Sequence, residues 1–334
     1  LEYITKENGE WTYQEGGNII DFSAGAGGIG YHAISLDVDS EDIPTLAYKR
    51  EIEGYSYSCP DTIYRQLFMA QKLDGAWYKG RVPGSVHRYL SIGVDSETLP
   101  HMSYKSSCDG LVYLHFDGTN WVSRSLYDHS AAGNYSSLAI DSQDHSHVIH
   151  SYSHTTTEYE AYYLYNNGVN WQDFLIPPDV GGMWLSLAID SQNHPYFARS
   201  GTTVRSEEFG WRQKDLYLGY FDGDYFYNYH LDEIVDKEDP ATYTGRYNSV
   251  ALNSNDDPYI SYQSNGDLKL TYWDGADWQT EVVDSEGNTG FYSSLAIDSQ
   301  DHLHIAYTKR VQLKYAYYNG SNWQILDVDT DGYV

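Results

Sequence analysis

Gly290–Asp327, GFYSSLAIDSQDHLHIAYTKRVQLKYAYYNGSNWQILD, is the stretch whose reading decides the fold. Ser294 to Ile297 alternates its faces as a half-buried strand does, and Asp298-Ser299-Gln300-Asp301 has the polar composition of a tight turn. Leu303 to Tyr307 reads as a second strand and Leu313 to Tyr318 as a third. Asn319-Gly320 turns the chain, and Trp323 to Val328 reads as a fourth strand. Four short antiparallel strands per repeat, with no helical periodicity, predict one blade of a β-propeller.

The rest of the chain repeats this unit. Aspartates ending the first strand recur at Asp39, Asp95, Asp141, Asp190 and Asp298, with Asn253 in the same slot. The intervals of 56, 46, 49, 63 and 45 residues leave two of them longer than four strands need, so those two hold insertions. Fourth strands are predicted to start at Trp77, Trp121, Trp171, Tyr225, Trp278 and Trp323. Blades are assigned to residues 30–81, 85–128, 133–176, 181–232, 245–284 and 290–328 of a single 1–334 propeller domain. Residues 1–14 match only the outer half of a repeat, with Asn8-Gly9 as turn and Trp11 in the tryptophan slot. Six complete repeats and an orphan half-blade predict seven-bladed geometry, the missing inner pair lying beyond Val334; six blades capped by the hairpin are the alternative.

A formal net charge of −28 argues against nucleic acid as a partner, because phosphate contacts need a basic stripe, and disfavours anionic membranes. No apolar run is long enough to span a bilayer, so membrane insertion is not expected. The chain starts within a strand pattern and without Met, which predicts a mature or excised segment of a longer secreted protein, extracellular or at the cell surface, with neighbouring domains as partners. The 35 tyrosines suit strands, since a ring can pack while its hydroxyl stays wet.

The two insertions, around 49–66 and 200–214, both fall between second and third strands. In a propeller those loops emerge on the face where the chain enters each inner strand, which makes that face the functional candidate. Cys59 and Cys108 lie in equivalent loops of neighbouring blades there, and a disulfide is expected between them in a secreted chain, two thiols being the alternative.

Six residues before each anchor stand Ala33, Tyr89, Tyr135, Trp184, Tyr247 and Tyr292, so aromatic rings are expected where the chain enters the inner strands. Just upstream lie His32, Arg88, Asn134, Met183, Arg246 and Phe291, with His87 beside them. Sugars stack on aromatic faces and arginine forks take carboxylate or sulfate, so Tyr89, Tyr135, Trp184, Tyr247, Tyr292, Arg88, Arg246, His32 and His87 are the candidate binding residues. The competing reading is that the repeated rings wedge blades together. Basic residues mapping to the same face, among them Lys49, Arg50, Arg65, Lys105, Arg199, Arg205, Arg212, Lys309 and Arg310, either hold an anionic ligand or pair with carboxylates.

His101, His147 and His304 share a repeat slot and read as packing residues, whereas His87, His129 and His154 are off the pattern and available for acid–base work. No metal-ligand spacing and no nucleophile or phosphate motif occurs, so neither a metal site nor a firm catalytic residue is assigned. The turn aspartates are expected to accept backbone N–H bonds in their hairpins. The DVDTDG run from Asp327 to Gly332 resembles the opening of a calcium loop but has no glutamate at the twelfth position; no cofactor is expected, with calcium there as the lesser alternative.

The repeat core SLAIDSxxHxHIAY followed by LKYAYYNGSNW resembles tandem repeats of secreted bacterial and archaeal β-propellers of the broad sialidase-like (BNR-type) grouping, over nearly the whole chain. The resemblance implies the fold, and a membership spanning sialidases, propeller polysaccharide lyases and non-catalytic binding domains. The sialidase Asp box SxDxGxTW is absent, although Asp298-Ser299-Gln300 occupies a comparable turn. The lyases are implied to use His, Tyr and Arg, which His87, His154, Tyr135 and Arg88 would offer here. The expectation is an extracellular binding propeller recognising a glycan or protein surface. A polysaccharide lyase or glycosidase acting on an acidic glycan is its rival, and a surface-layer or filament subunit a third reading.

Overall fold

The structure, a computed structural model, describes residues 4–7, 10–13, 34–51, 65–74, 76–106, 108–153, 159–177, 182–201, 204–206, 210–212, 215–233, 243–310 and 312–329. The chain divides into two compact units, Leu1–Ser146 and His147–Val334.

The first unit opens with a hairpin of β1 (Ile4–Glu7) and β2 (Glu10–Tyr13). One sheet follows from β3 (Ile34–Val38), β4 (Pro44–Glu51), β5 (Arg65–Leu73) and β6 (Ala76–Ser85), each strand beside the next. A second has β7 (Arg88–Val94), β8 (Pro100–Lys105), β9 (Leu111–Phe116) and β10 (Trp121–Tyr127) in the same order. β11 (Asn134–Ile140) is the last full strand of the first unit; with β12 (Ser146–Ser153), β13 (Tyr159–Asn166) and β14 (Trp171–Leu175), which belong to the second unit apart from Ser146, it makes the third sheet. In the second unit β15 (Met183–Ile189), β16 (Pro195–Gly201), β19 (Asp215–Phe221) and β20 (Phe226–Asp232) form the fourth sheet. The 200–214 insertion places a small hairpin, β17 (Val204–Ser206) and β18 (Gly210–Arg212), between its middle strands. β21 (Arg246–Leu252), β22 (Pro258–Ser264), β23 (Asp267–Trp273) and β24 (Trp278–Asp284) make the fifth. β25 (Phe291–Ile297), β26 (Leu303–Lys309), β27 (Gln312–Tyr318) and β28 (Trp323–Asp329) make the sixth.

Six four-stranded sheets replace the seven expected. The β1–β2 hairpin satisfies its ladder within itself, from Ile4↔Tyr13 to Glu7↔Glu10, and forms a two-stranded sheet with no inner pair among the described residues.

Within each unit, neighbouring sheets bury apolar side chains against one another. In the first unit Ala47, Leu67 and Val82 meet Leu90, Ile92, Met102 and Leu114 of the following sheet. In the second, Ala198, Leu216 and Leu218 meet Val250, Ile260 and Tyr262. Leu268, Leu270 and Val283 likewise meet Leu295, Ile305 and Tyr307. A tyrosine two residues before the end of the second strand tethers blades by its hydroxyl: Tyr262 donates to Asp232 at 2.7 Å and Tyr307 to Asp284 at 2.6 Å, each carboxylate closing the preceding blade.

Two polar devices repeat at the turns. Asp95 Oδ1 accepts from Glu97 N at 3.0 Å and Leu99 N at 2.8 Å. Asp39, Asp141, Asp190, Asn253 and Asp298 do the same in their own turns. The residue three further on adopts a left-handed backbone, and where it is Asp144, Asp256 or Asp301 its carboxylate clasps Ser96, Ser191 or Ser254 of the preceding blade.

The leading strand of each sheet is paired on one edge only, so alternate amides on its other edge need acceptors from elsewhere. Serine supplies them. Ser35 Oγ accepts from Ile92 N at 3.1 Å and Ser91 Oγ from Leu138 N at 3.0 Å. Ser186 Oγ accepts from Val250 N at 3.1 Å and Ser249 Oγ from Leu295 N at 3.0 Å. Deleting one such acceptor leaves a half-buried amide unpaired. Ser249→Ala is therefore expected to lower unfolding free energy by about 1–3 kcal/mol in urea titration. Ser294→Ala, in the same slot but exposed in the last sheet, should stay within about 0.5 kcal/mol. Equal effects would remove the bridging role.

Candidate functional site

The start of each leading strand is built alike. Gly133, Gly182, Gly245 and Gly290 stand two residues before Tyr135, Trp184, Tyr247 and Tyr292. Gly245 and Gly290 have φ of 75° and 78°, and a Cβ on them would lie 3.1 and 3.0 Å from the Cα of Leu216 and Leu268. Left-handed geometry and close approach both demand glycine there. The aromatic residue that follows is itself left-handed: φ is 57° at Tyr89, 50° at Tyr135, 51° at Trp184 and Tyr247, and 52° at Tyr292. Bulky side chains rarely adopt this conformation, which costs about 1–3 kcal/mol at each position.

A bulge accompanies it. The register breaks between Arg88 and Ser91, Met183 and Ser186, Arg246 and Ser249, and Phe291 and Ser294. The next blade holds the bulge from behind. Ser136 Oγ donates to Tyr89 O at 2.6 Å, Asn248 Nδ2 to Trp184 O, and Ser293 Oγ to Tyr247 O at 2.6 Å. A bulge re-aims the side chain at its centre. Tyr89 and Tyr135 consequently pair at 4.7 Å in the first unit. In the second unit Trp184 lies 4.1 Å from Tyr247, which lies 4.7 Å from Tyr292. Burial, and then the neighbouring Tyr292, push the Tyr247 hydroxyl up to about 12. Tyr292 remains exposed.

His87 departs from this pattern, standing in the slot that is glycine in four other blades. Its amide donates to Lys105 O at 2.7 Å and its carbonyl accepts from Lys49 Nζ at 3.2 Å. Burial pushes the imidazole down to about 4, and Arg65, Arg88, Lys49 and Lys105 all push the same way. Lys105 pairs with Arg88 across β7 and β8. Its ammonium donates to Ser130 O at 2.7 Å and Asn134 Oδ1 at 2.9 Å, and burial with the adjacent Arg88 lowers it to about 8. Arg88 is exposed.

The remaining candidates separate. Arg246 lies over the Tyr243 ring, its Cζ 4.1 Å from the centroid. Arg199, expected on the basic rim, is instead fully buried, in the slot where four other blades carry a second-strand tyrosine, and bonds Asn228. His101, His147 and His304 bond Tyr113, Tyr163 and Tyr315 through Nδ1. His129 Nδ1 accepts from Ala131 N at 3.1 Å in a turn. Lys309 faces Glu286 at 3.7 Å, and Asp327 of the DVDTDG run faces Lys314 at 3.7 Å. His32, Ala33, Cys59, His154 and residues 330–332 lie outside the described residues, as do the side chains of Arg205 and Arg212. Among the described residues no His, Cys, Asp and Glu cluster fit for a metal ion occurs, and no helix is long and apolar enough to cross a membrane.

The sequence singled out the ring positions but missed the serine two residues beyond each slot, present at Ser35, Ser91, Ser137, Ser186, Ser249 and Ser294. The signal was there as a sixfold repeat. Replacement of glycine by His87 was legible in the same alignment of repeats.

No protein-family model matches the chain, and no curated protein sequence matches it. Solved structures do. The Aleuria aurantia lectin in complex with Fucα1-6GlcNAc superposes with a TM-score of 0.57 at 11% identity, over 89% of this chain and 96% of that one. Another structure of the Aleuria aurantia lectin, described as a six-bladed β-propeller with a novel fucose recognition mode, gives 0.56 at 10% identity, over 89% and 95% of the two chains. An ulvan lyase from a new polysaccharide lyase family gives 0.57 at 13% identity, over 95% of this chain and 81% of that one. At such identities the likeness shows the fold: this chain is a β-propeller of four-stranded blades, six of them.

His87 provides a direct check on the site. Its folded pKa lies below the unfolded value of 6.5, so the unfolded chain takes up the proton first as pH falls. The group therefore withdraws stability between about pH 6.5 and pH 4 and has no such effect above that window. The imidazole should titrate near 4 by NMR, and Arg88→Gln should raise that midpoint. A midpoint at the ordinary value would dissolve the cationic environment assigned to it.

Proposed function

We propose that the chain is a glycan-binding propeller, secreted or at the cell surface, whose ligand face is the one bearing the left-handed aromatic residues. The carrying observation is the strain itself. Rings needed only as wedges would sit on relaxed strand backbone, yet five stand at positive φ, and the carbonyls of three of them, Tyr89, Trp184 and Tyr247, are bonded from the neighbouring blade. Flat rings presented at a rigid strand start suit the apolar faces of sugars. Two of the structural neighbours are lectins in complex with Fucα1-6GlcNAc and α-methyl fucoside, which supports the same class. Kinship with the BNR-type repeats and a Cys59–Cys108 bridge on this face belong to the same proposal.

A lytic reading has one specific observation in its favour. His87 is neutral near pH 7, lies among cations and is followed by Arg88 and Tyr89. A neutral imidazole can take the proton from the carbon beside a uronate carboxylate whose charge an arginine balances; a carbon–carbon double bond then forms as the glycosidic carbon–oxygen bond breaks, and the leaving oxygen is protonated by an acid such as a tyrosine hydroxyl.

One glycan array separates the readings. Retention without cleavage, falling by about tenfold in Tyr89→Ala and Trp184→Ala, is the expected result. New unsaturated uronate ends, seen by ultraviolet absorbance and lost in His87→Gln, would establish the lyase. An array that retains nothing and cleaves nothing would overturn both.

A further inference from the structure

The two units repeat the same aromatic device in different electrostatic settings. In the first, the Tyr89–Tyr135 pair adjoins Arg88 and Lys105. Lys105 directs its ammonium at two neutral oxygens, Ser130 O and Asn134 Oδ1, while Arg88 is exposed, and no carboxylate among the described residues holds either one. In a chain of net charge −28 an uncompensated pair of cations is unusual. In the second unit the lysines near the strand starts are matched by carboxylates: Lys269 with Asp232 at 3.1 Å, Lys314 with Asp284 at 3.3 Å, and Lys309 with Glu286 at 3.7 Å. Arg246 there lies over Tyr243 beside the Trp184–Tyr247–Tyr292 row.

We infer that the chain carries two glycan sites of different chemistry, an anion-selective one in the first unit at Arg88, Lys105, Tyr89 and Tyr135, and one for uncharged sugar faces in the second at Trp184, Tyr247 and Tyr292. The inference rests on the glycan reading above and adds to it. Arg88 can fork onto two oxygens of a carboxylate or sulfate while the paired tyrosines cover the sugar ring. A half-buried ammonium close behind the guanidinium strengthens the attraction for a second negative group on the same chain. In the second site the lysines are matched by carboxylates and the Arg246 guanidinium is stacked on the Tyr243 ring, so ring faces dominate.

The test is calorimetric titration of the whole chain with an oligogalacturonate, a sulfated galactan oligosaccharide and a neutral galactan oligosaccharide. Saturating neutral oligosaccharide should leave binding of the acidic probe in place. Arg88→Gln should lower the acidic-to-neutral affinity ratio by about tenfold to a hundredfold, the range expected for a charge-assisted pair, with an unchanged melting temperature as the folding control. Whether carboxylate or sulfate binds more tightly identifies the anion. Displacement of the acidic probe by the neutral one, or an equal loss of both in Arg88→Gln, would overturn the two-site inference while leaving the glycan reading intact. Binding of the neutral probe alone would remove the anion site. Silence from all three, together with an array that retains nothing, would remove the glycan reading and this inference with it.

Discussion

The structure depends on what happens at the free edge of each leading strand. A sheet of four strands pairs its first strand on one side, and the amides on the other side must find oxygen. Here they find the Oγ of a serine in the preceding blade, from Ser35 to Ile92, Ser91 to Leu138, Ser186 to Val250 and Ser249 to Leu295. Hydroxyl acceptors hold two leading strands together without a continuous ladder, which leaves the blades free to pack by their side chains. The Asp144, Asp256 and Asp301 clasps do the same work at the turns.

The same registration creates the candidate site. Once a serine fixes the strand two residues beyond, the bulge before it is confined between that bond and the neighbour's donor to the bulged carbonyl. Tyr89 O is held by Ser136 and Tyr247 O by Ser293. The left-handed aromatic residue cannot relax without breaking bonds in two blades. Strain is thereby converted into fixed presentation of a ring, the property a binding platform requires.

Against this uniform background, the departures are informative. His87 replaces a glycine, Arg88 and Lys105 go unmatched by acids among the described residues, and Arg199 takes a tyrosine slot in the core. Arg88 and Lys105 concentrate positive charge where β7 begins, beside the neutral imidazole of His87. Arg199 does not reach the surface at all, because its position faces the interior of its sheet stack, where Asn228 receives the guanidinium.

Much of this was legible in the sequence, because a repeat writes its local rules several times over. The alternation in Ser294–Ile297, the Asn319-Gly320 turn and the tryptophan that opens the fourth strand located all four strands of a blade to within a few residues, since they depend on pleat and turn chemistry that act between near neighbours. The turn aspartates and the ring positions followed for the same reason. The number of blades did not: the half-repeat at residues 1–14 pointed to seven, but strand patterns carry no record of which edges meet, and among the described residues the hairpin pairs only with itself. Nor could the sequence set the left-handed bulges, the cations around His87 or the burial of Arg199. Those rest on partners such as Lys49 with His87 and Ser136 with Tyr89, 38 and 47 residues apart, which meet only when one blade packs on the next.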